Sequence, residues 1–456
     1  MNKVKNSFIK HKFIMIATII SLMLPVTGAA VKCQSNEVAG KSLSSAEKES
    51  AVNSISKLMF DNYIFPAVSV EMGEYLNSRL KNGEYNGFSD PQLFADEITN
   101  DLQFISKDKH IRVQYNPEQI KKMNSLPKED ENIVSQEFIQ MLKNENFGFK
   151  KVERLGGNIG YIDFRNFGPG DLIKEKVEDV MGFVENCNAL IFDMRYNGGG
   201  DPTGIQVITS YLFGEDPVHL NDLYYRPNDT TEQYWTLKDI KGKRMPDVPV
   251  YILTSSFTFS GAEEFTYNLK NLKRATVIGE TTGGGAHPGG MNIADENFIV
   301  FVPIGRAINP ITKTNWEGTG VTPDIEINSI SALTKAHILA LEKIVSLSGT
   351  NDNKLNWLIE SLTAALNEIN IDNSILNEYA GVYGDRKIFL EEGKLYYQRN
   401  NRQKFEMTPM SEDTFMFSDI DYFRVKFVKD DSGKVTELIG MYVDGKTDRS
   451  EKINDQ

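Results

Sequence analysis

The chain has 456 residues, 40% of them apolar and 25% charged, close to ordinary globular usage. That composition excludes a wholly disordered, collagen-like or multi-span membrane protein, and at roughly 100–200 residues per domain the length suggests two to four domains. Lys and Arg number 50 against 63 Asp and Glu, a net charge of −13, so there is no general electrostatic footprint for nucleic acid or anionic lipid. Two cysteines, Cys33 and Cys187, cannot build a disulfide framework or a four-thiolate zinc site. The fold must rest on its core.

Lys3, Lys5, Lys10 and Lys12 precede any acidic residue, residues 13–26 are almost wholly apolar, and Gly28-Ala29-Ala30 supplies small residues. This order predicts a secretory signal peptide over residues 1–30. An uncleaved anchor is the rival, although the run falls short of the roughly 20 residues that a bilayer span needs. Cys33 raises the question of lipidation, but Lys32 before it fits a small-residue lipidation site poorly. With the signal removed no integral span is expected, and the location should be periplasmic or extracellular.

Residues 31–47 read as a flexible polar lead-in. Residues 48–116 read as an N-terminal helical domain, with helical spacing from Lys48 to about Phe104: Ile55, Leu58 and Met59, then Met72, Tyr75 and Leu76, then Leu93, Phe94, Ile98 and Leu102. Ser89-Asp90-Pro91 offers the third helix an N-cap with proline at its first position. A connecting segment, 117–150, shows no clear sheet pattern. Over 151–345 short apolar runs (159–164, 189–194, 248–254, 275–279, 298–302) alternate with helical stretches near 171–186, 202–213 and 261–272, which predicts βαβ units around a largely parallel sheet. Helix also fits 331–348 and 354–369, making 346–373 a helical linker. Residues 374–456 become hairpin-like, with turns at 391–393 and 430–433, and predict a separate small β domain.

Several familiar chemistries are missing: no His-Glu-x-x-His helix, no Gly-x-Ser-x-Gly elbow and no phosphate-binding Gly-Lys-Ser/Thr. The five histidines (His11, His110, His219, His287, His337) lie far apart, so no local metal cluster is visible, although a composite site is open. The first candidate is the strand–turn–helix pattern ending Thr-Phe-Ser260-Gly261-Ala-Glu263-Glu264. It would place the Ser260 hydroxyl at a helix N-terminus, where amides and the helix dipole favour an oxyanion. The same residues equally fit a capping box with no catalytic role.

The second candidate, Asp193-Met-Arg195-Tyr-Asn197-Gly198-Gly199-Gly200, ends a strand in three glycines whose amides could supply another oxyanion donor; it equally fits a plain strand-to-helix turn. Gly279-Glu-Thr-Thr-Gly-Gly-Gly285-Ala-His287 could line a cleft or form a mobile surface loop. Asn315-Trp316-Glu317-Gly could orient a histidine or form a surface turn.

Taken in order, these four motifs resemble the tail-specific (C-terminal processing) serine protease family, in the branch of the tricorn core and interphotoreceptor retinoid-binding protein. The resemblance covers roughly residues 45–345. It implies an α/β fold: a crotonase/ClpP-like βα spiral core with an N-terminal helical domain and the small C-terminal β domain. It implies a serine peptidase with Ser260 as nucleophile and the amides of Gly261 and a glycine of the 198–200 turn, Gly199 first among them, in the oxyanion hole. The processing branch carries a lysine where this chain has Gly285, so a Ser-Lys dyad is unavailable there.

The tricorn-like branch uses a histidine from the segment before the core and a glutamate after the serine, positions that His110 and Glu317 fit. A serine directly precedes that histidine in the branch; here it is Lys109. His287 is the alternative base, but its glycine-rich loop is expected to hold an imidazole loosely. The expected substrate is a polypeptide, with no metal, organic cofactor or nucleic acid involved. A non-catalytic protein binding apolar ligands or peptides on the same fold is the other class left open.

Overall fold

The computed structural model describes residues 42–125, 136–349, 352–367, 369–400 and 402–453; the expected signal peptide and Cys33 lie outside them. The chain opens with α1 (Ser45–Asn62), α2 (Pro66–Lys81) and α3 (Pro91–Ser106). Glu47 closes the first turn of α1 by accepting the Ser44 N–H at 2.9 Å. Asp90 caps α3, accepting from Gln92 and Leu93 at 2.8 and 2.9 Å, with Pro91 at its first position as the sequence predicts.

After α3 come β1 (Arg112–Tyr115), α4 (Pro117–Ser125), α5 (Gln136–Asn144), β2 (Phe149–Leu155), β3 (Ile159–Phe164), α6 (Gly170–Val184), β4 (Ala189–Asp193) and α7 (Pro202–Ser210). Next are β5 (His219–Tyr225), β6 (Thr230–Trp235), β7 (Val250–Thr254), α8 (Gly261–Asn271), β8 (Thr276–Gly279), β9 (Gly289–Ile293), β10 (Phe298–Pro303), β11 (Gly305–Ile308), β12 (Ile325–Glu326), α9 (Ser329–Ser348), α10 (Asn353–Leu366) and α11 (Asn373–Tyr379).

The central sheet has six strands in the order β12-β8-β7-β4-β3-β2, parallel except for the β2–β3 pair. β3, β4 and β7 are buried throughout, as expected of strands covered on both faces. Their side chains divide with period two. Ile162, Leu190, Phe192 and Ile252 pack with α6, α7 and α8, whereas Ile159, Ile191 and Leu253 pack with Ala332, Ala336 and Leu341 of α9.

The run at 298–302 departs from the parallel-sheet expectation. It forms β10 of a separate antiparallel sheet, β1-β10-β9, whose Phe298, Val300 and Val302 share one core with α1–α3. The helices therefore close onto the stretch of chain between β8 and β12, and Val113 pairs with Val300.

The hairpins of the tail close into an eight-stranded barrel of β13 (Gly381–Tyr383), β14 (Arg386–Glu391), β15 (Lys394–Arg399), β16 (Lys404–Pro409), β17 (Thr414–Phe417), β18 (Ile420–Lys429), β19 (Val435–Tyr442) and β20 (Thr447–Ile453). Closure removes the exposed edges that open hairpins would leave. Its interior is largely aromatic, with Tyr379, Tyr383, Phe415, Phe423 and Phe427. Arg424 ties the barrel to α10: its guanidinium lies 3.6 Å from the Trp357 ring centroid and bonds Glu360 at 2.5 Å. The architecture is mixed α/β with a helical N-terminal part and a C-terminal β barrel, as expected from the family resemblance and from the hairpin pattern of the tail.

Candidate active site

Two strand ends build the floor. At the end of β4, Asp193 holds Arg195 through two bonds of 2.9 and 2.6 Å; burial raises its pKa, but the guanidinium more than offsets this and keeps the carboxyl below its usual range. Asn197 donates to the Phe164 carbonyl at 2.9 Å and accepts the Gly199 N–H at 2.8 Å. The Thr-Ser-x-x-Thr segment after β7 is stitched to the same turn. Thr258 donates to the Met194 carbonyl at 2.8 Å, Ser255 to that of Arg195, and the Phe259 N–H to that of Asn197 at 3.2 Å.

This stitching drives the chain into Ser260 with φ 53° and ψ −122°. A capping serine ordinarily has extended backbone, so the cap reading does not account for this conformation. Positive φ at a non-glycine residue costs on the order of 1–3 kcal/mol and persists only where surroundings enforce it. Glu263, fully buried, is the main restraint. Its carboxylate accepts N–H groups from Ser260 (2.9 Å), Gly284 (2.7 Å) and Gly285 (2.8 Å), and the Thr282 hydroxyl. Burial pushes its pKa up against those bonds. What reads in sequence as half a capping box thus joins the serine turn to the 282–285 loop.

Beside Ser260, Gly199 and Gly261 are in close approach: a Cβ on Gly199 would stand 2.6 Å from the Gly261 nitrogen. Gly199 itself is buried and its N–H is taken by Asn197. Among the described residues the amides of Gly200 and Gly261 have no hydrogen-bond partner. The Gly200 nitrogen lies 2.9 Å from where a Gly261 Cβ would be, and both glycines line the same cavity as Ser260.

That cavity, about 1170 Å³, also takes in His110 and His287. His110 is brought there by the β1–β10 pairing two residues later. Its ring lies 4.6 Å from that of Phe259 and 5.8 Å, stacked, from that of Phe301. Neither ring nitrogen has a hydrogen bond among the described residues, so the serine–histidine contact is open in this arrangement. Catalytic hydrogen bonds commonly tighten only with substrate present.

Behind the histidines sits Asp108, wholly buried, a residue the sequence reading passed over. Its Oδ2 lies 2.7 Å from His287 Nδ1 and accepts the Tyr63 hydroxyl at 3.3 Å, while its Oδ1 is 3.5 Å from His110 Nδ1. Burial raises its pKa, but the His287 hydrogen bond and the charge of both histidines outweigh this and hold the carboxyl well below its usual range. Glu317 accepts the Ala286 N–H at 2.6 Å and stands 3.4 Å from His287 Nδ1. Burial and the neighbouring Asp108 charge push its carboxyl up.

Polar atoms of Asp108, His110 and Glu317 all lie within 4.8 Å of one another. His287 is not loosely held: it is 5% exposed, bonded to Asp108 and packed edge-on by Phe65 at 5.3 Å. Lys109 turns away and bonds the Gly283 carbonyl at 2.6 Å.

The site is a serine turn with free amides, two histidines, the buried Asp108 carboxylate and the half-buried Glu317 carboxylate. Residues 158–327 match the model of peptidase family S41, and residues 43–149 match the N-terminal domain of that family in eukaryotic IRBP. The chain thus carries an S41 peptidase domain and the N-terminal domain that accompanies it. It is 30% identical over 170 residues to the chloroplastic carboxyl-terminal-processing peptidase 2 of Arabidopsis thaliana, covering 36% of this chain and 31% of that protein. It is 28% identical over 244 residues to the tail-specific protease of Haemophilus influenzae (48% and 32%) and 27% identical over 186 residues to the tricorn protease of Thermoplasma volcanium (38% and 16%). The chain thus spans about a third or less of the curated relatives it matches. Among the described residues no helix is long and apolar enough to cross a membrane.

Proposed function

We propose that the protein is an exported serine peptidase, periplasmic or extracellular after loss of residues 1–30, that hydrolyses polypeptide substrates through Ser260, His110 and Glu317. The observation that carries this reading is the strained Ser260 turn beside two unpartnered amides, in one cavity with His110. In the proposed reaction His110 takes the Ser260 proton as Oγ attacks the carbonyl carbon. The oxyanion is received by the amides of Gly261 and the 198–200 turn; with Gly199 engaged by Asn197, Gly200 is the better-placed second donor. Asp108 orients His110 from the Nδ1 side, and Glu317 supports the cluster through His287. The histidine returns its proton to the leaving amine, and water then releases the acyl group. No metal or organic cofactor takes part in these steps.

Gly285 supports histidine over lysine as the base. A Cβ built there would lie 2.6 Å from His110 Cε1 and 2.2 Å from Phe259 Cζ, so the imidazole and a lysine at 285 compete for one space. In domain terms we read 48–116 as the helical unit, 151–345 as the peptidase core and 374–456 as an appended β unit. Labelling by a fluorophosphonate, lost in Ser260→Ala, tests the proposal. A protein that only binds apolar ligands or peptides would not be labelled.

A further inference from the structure

Glu264 lines the cavity with Ser260 and Gly261, one helical turn beyond the serine and on the same side of α8. It is 6% exposed, and among the described residues no Lys, Arg or His forms an ion pair with it. Two buried amides beside it are also unspent. Asn221, fully buried, has neither Oδ1 nor Nδ2 hydrogen-bonded, and Asn268 has Nδ2 unpartnered while its Oδ1 accepts from Asn309 at 3.1 Å. The walls around this polar floor are apolar: Leu223, Ala307 and Trp316.

A buried carboxylate without a cation is costly, and buried polar atoms left unpaired call for a partner. An apolar-walled cavity with a buried carboxylate in its lining suits a long alkyl side chain ending in a cation. Resting on the serine peptidase reading, we propose that Glu264 forms the floor of the primary specificity pocket and selects substrates with Lys or Arg on the acyl side of the scissile bond. Burial, with the charge of Asp201, raises the Glu264 carboxyl to about 7, while the neighbouring Asn221 and Asn268 amides pull it the other way. The empty pocket is thus near-neutral at physiological pH, and an entering cation draws it to the ionised form. The other ionisable groups near it are Glu232, Tyr225 and Tyr234; no cation among them competes for the carboxylate.

The test uses the full chain and four fluorogenic peptides identical except for Lys, Arg, Leu or Ala before the bond. Wild-type kcat/KM for Lys or Arg should exceed that for Leu at least tenfold, and the Lys/Leu ratio should rise as pH increases through about 7. Glu264→Gln should cut that ratio at least tenfold, fluorophosphonate labelling serving to certify that the variant is folded. If labelled wild-type protein cleaves the Leu or Ala peptide as fast as Lys, the pocket assignment is overturned while the peptidase reading stands. An unaltered Lys/Leu ratio in labelled Glu264→Gln overturns it equally. Absence of both labelling and cleavage overturns the two together.

Discussion

His110 occupies the space into which a side chain at Gly285 would project, its Cε1 standing 2.6 Å from that glycine's Cβ position. The two residues are 175 positions apart, and the β1–β10 pairing alone puts them together. Gly285→Ala should therefore displace the imidazole or the Phe259 ring and cost about 1–3 kcal/mol, the usual range for overpacking. Chemical denaturation measures the loss, and turnover should fall with it. An alanine variant of wild-type stability and rate would show that the space is vacant.

Ser260 stores backbone strain that only glycine relieves. Ser260→Gly should raise stability by about 1 kcal/mol, at the low end of the cost of such a conformation, while removing the hydroxyl. A midpoint of unfolding lower than wild type would mean that the serine side chain contributes more than its backbone costs.

Asp108 is held ionised by its two histidine partners against the effect of burial, and its depressed pKa fixes the sign of a pH effect. The stability it contributes is present above its ordinary carboxyl range, near 3.8, and is lost as pH falls through the lower folded value. Asp108→Asn should remove that acid-side loss. By analogy with carboxylates that orient a catalytic imidazole, turnover should fall by roughly two to four orders of magnitude. A pH–stability curve parallel to wild type would show that the carboxylate is not ionised in the folded state.

Glu264 works in the opposite direction. Its folded carboxyl, near 7, lies above the ordinary value of 4.5, so the native state holds a proton that the unfolded state releases. The resulting stability is full below the unfolded value and is lost as pH rises through the folded one, a change on the order of 3 kcal/mol. Glu264→Gln should flatten this slope, gaining relative to wild type between about pH 5 and about pH 8. Equal slopes in the two proteins would mean that Glu264 is already ionised at the lower pH.

Much of this was legible in the chain. Ser260, the glycine turn at 198–200 and Glu317 stand in motifs that occur in a telling order, and short apolar runs marked β3, β4 and β7. Other parts were not, for physical reasons. Asp108 looked like any acid beside a turn, because its role depends on His287 arriving from 179 residues away. His287 was judged by the glycines around it, whereas its fixation comes from Asp108 and Phe65 outside its loop. Glu263 satisfies a local cap pattern while its other bonds reach across to residues 282–285. Which glycine offers a free amide depends on the Asn197 side chain, and barrel closure depends on pairing β13 with β20, a contact no local pattern encodes.

The central claim is that Ser260 is a nucleophile activated by His110, and active-site labelling tests it most directly. Purified wild-type protein should react covalently with a fluorophosphonate at Ser260. Ser260→Ala should not react, His110→Ala should react orders of magnitude more slowly, and His287→Ala should keep a measurable rate. Labelling that persists in Ser260→Ala, or that is unaffected by His110→Ala but abolished by His287→Ala, would contradict the account.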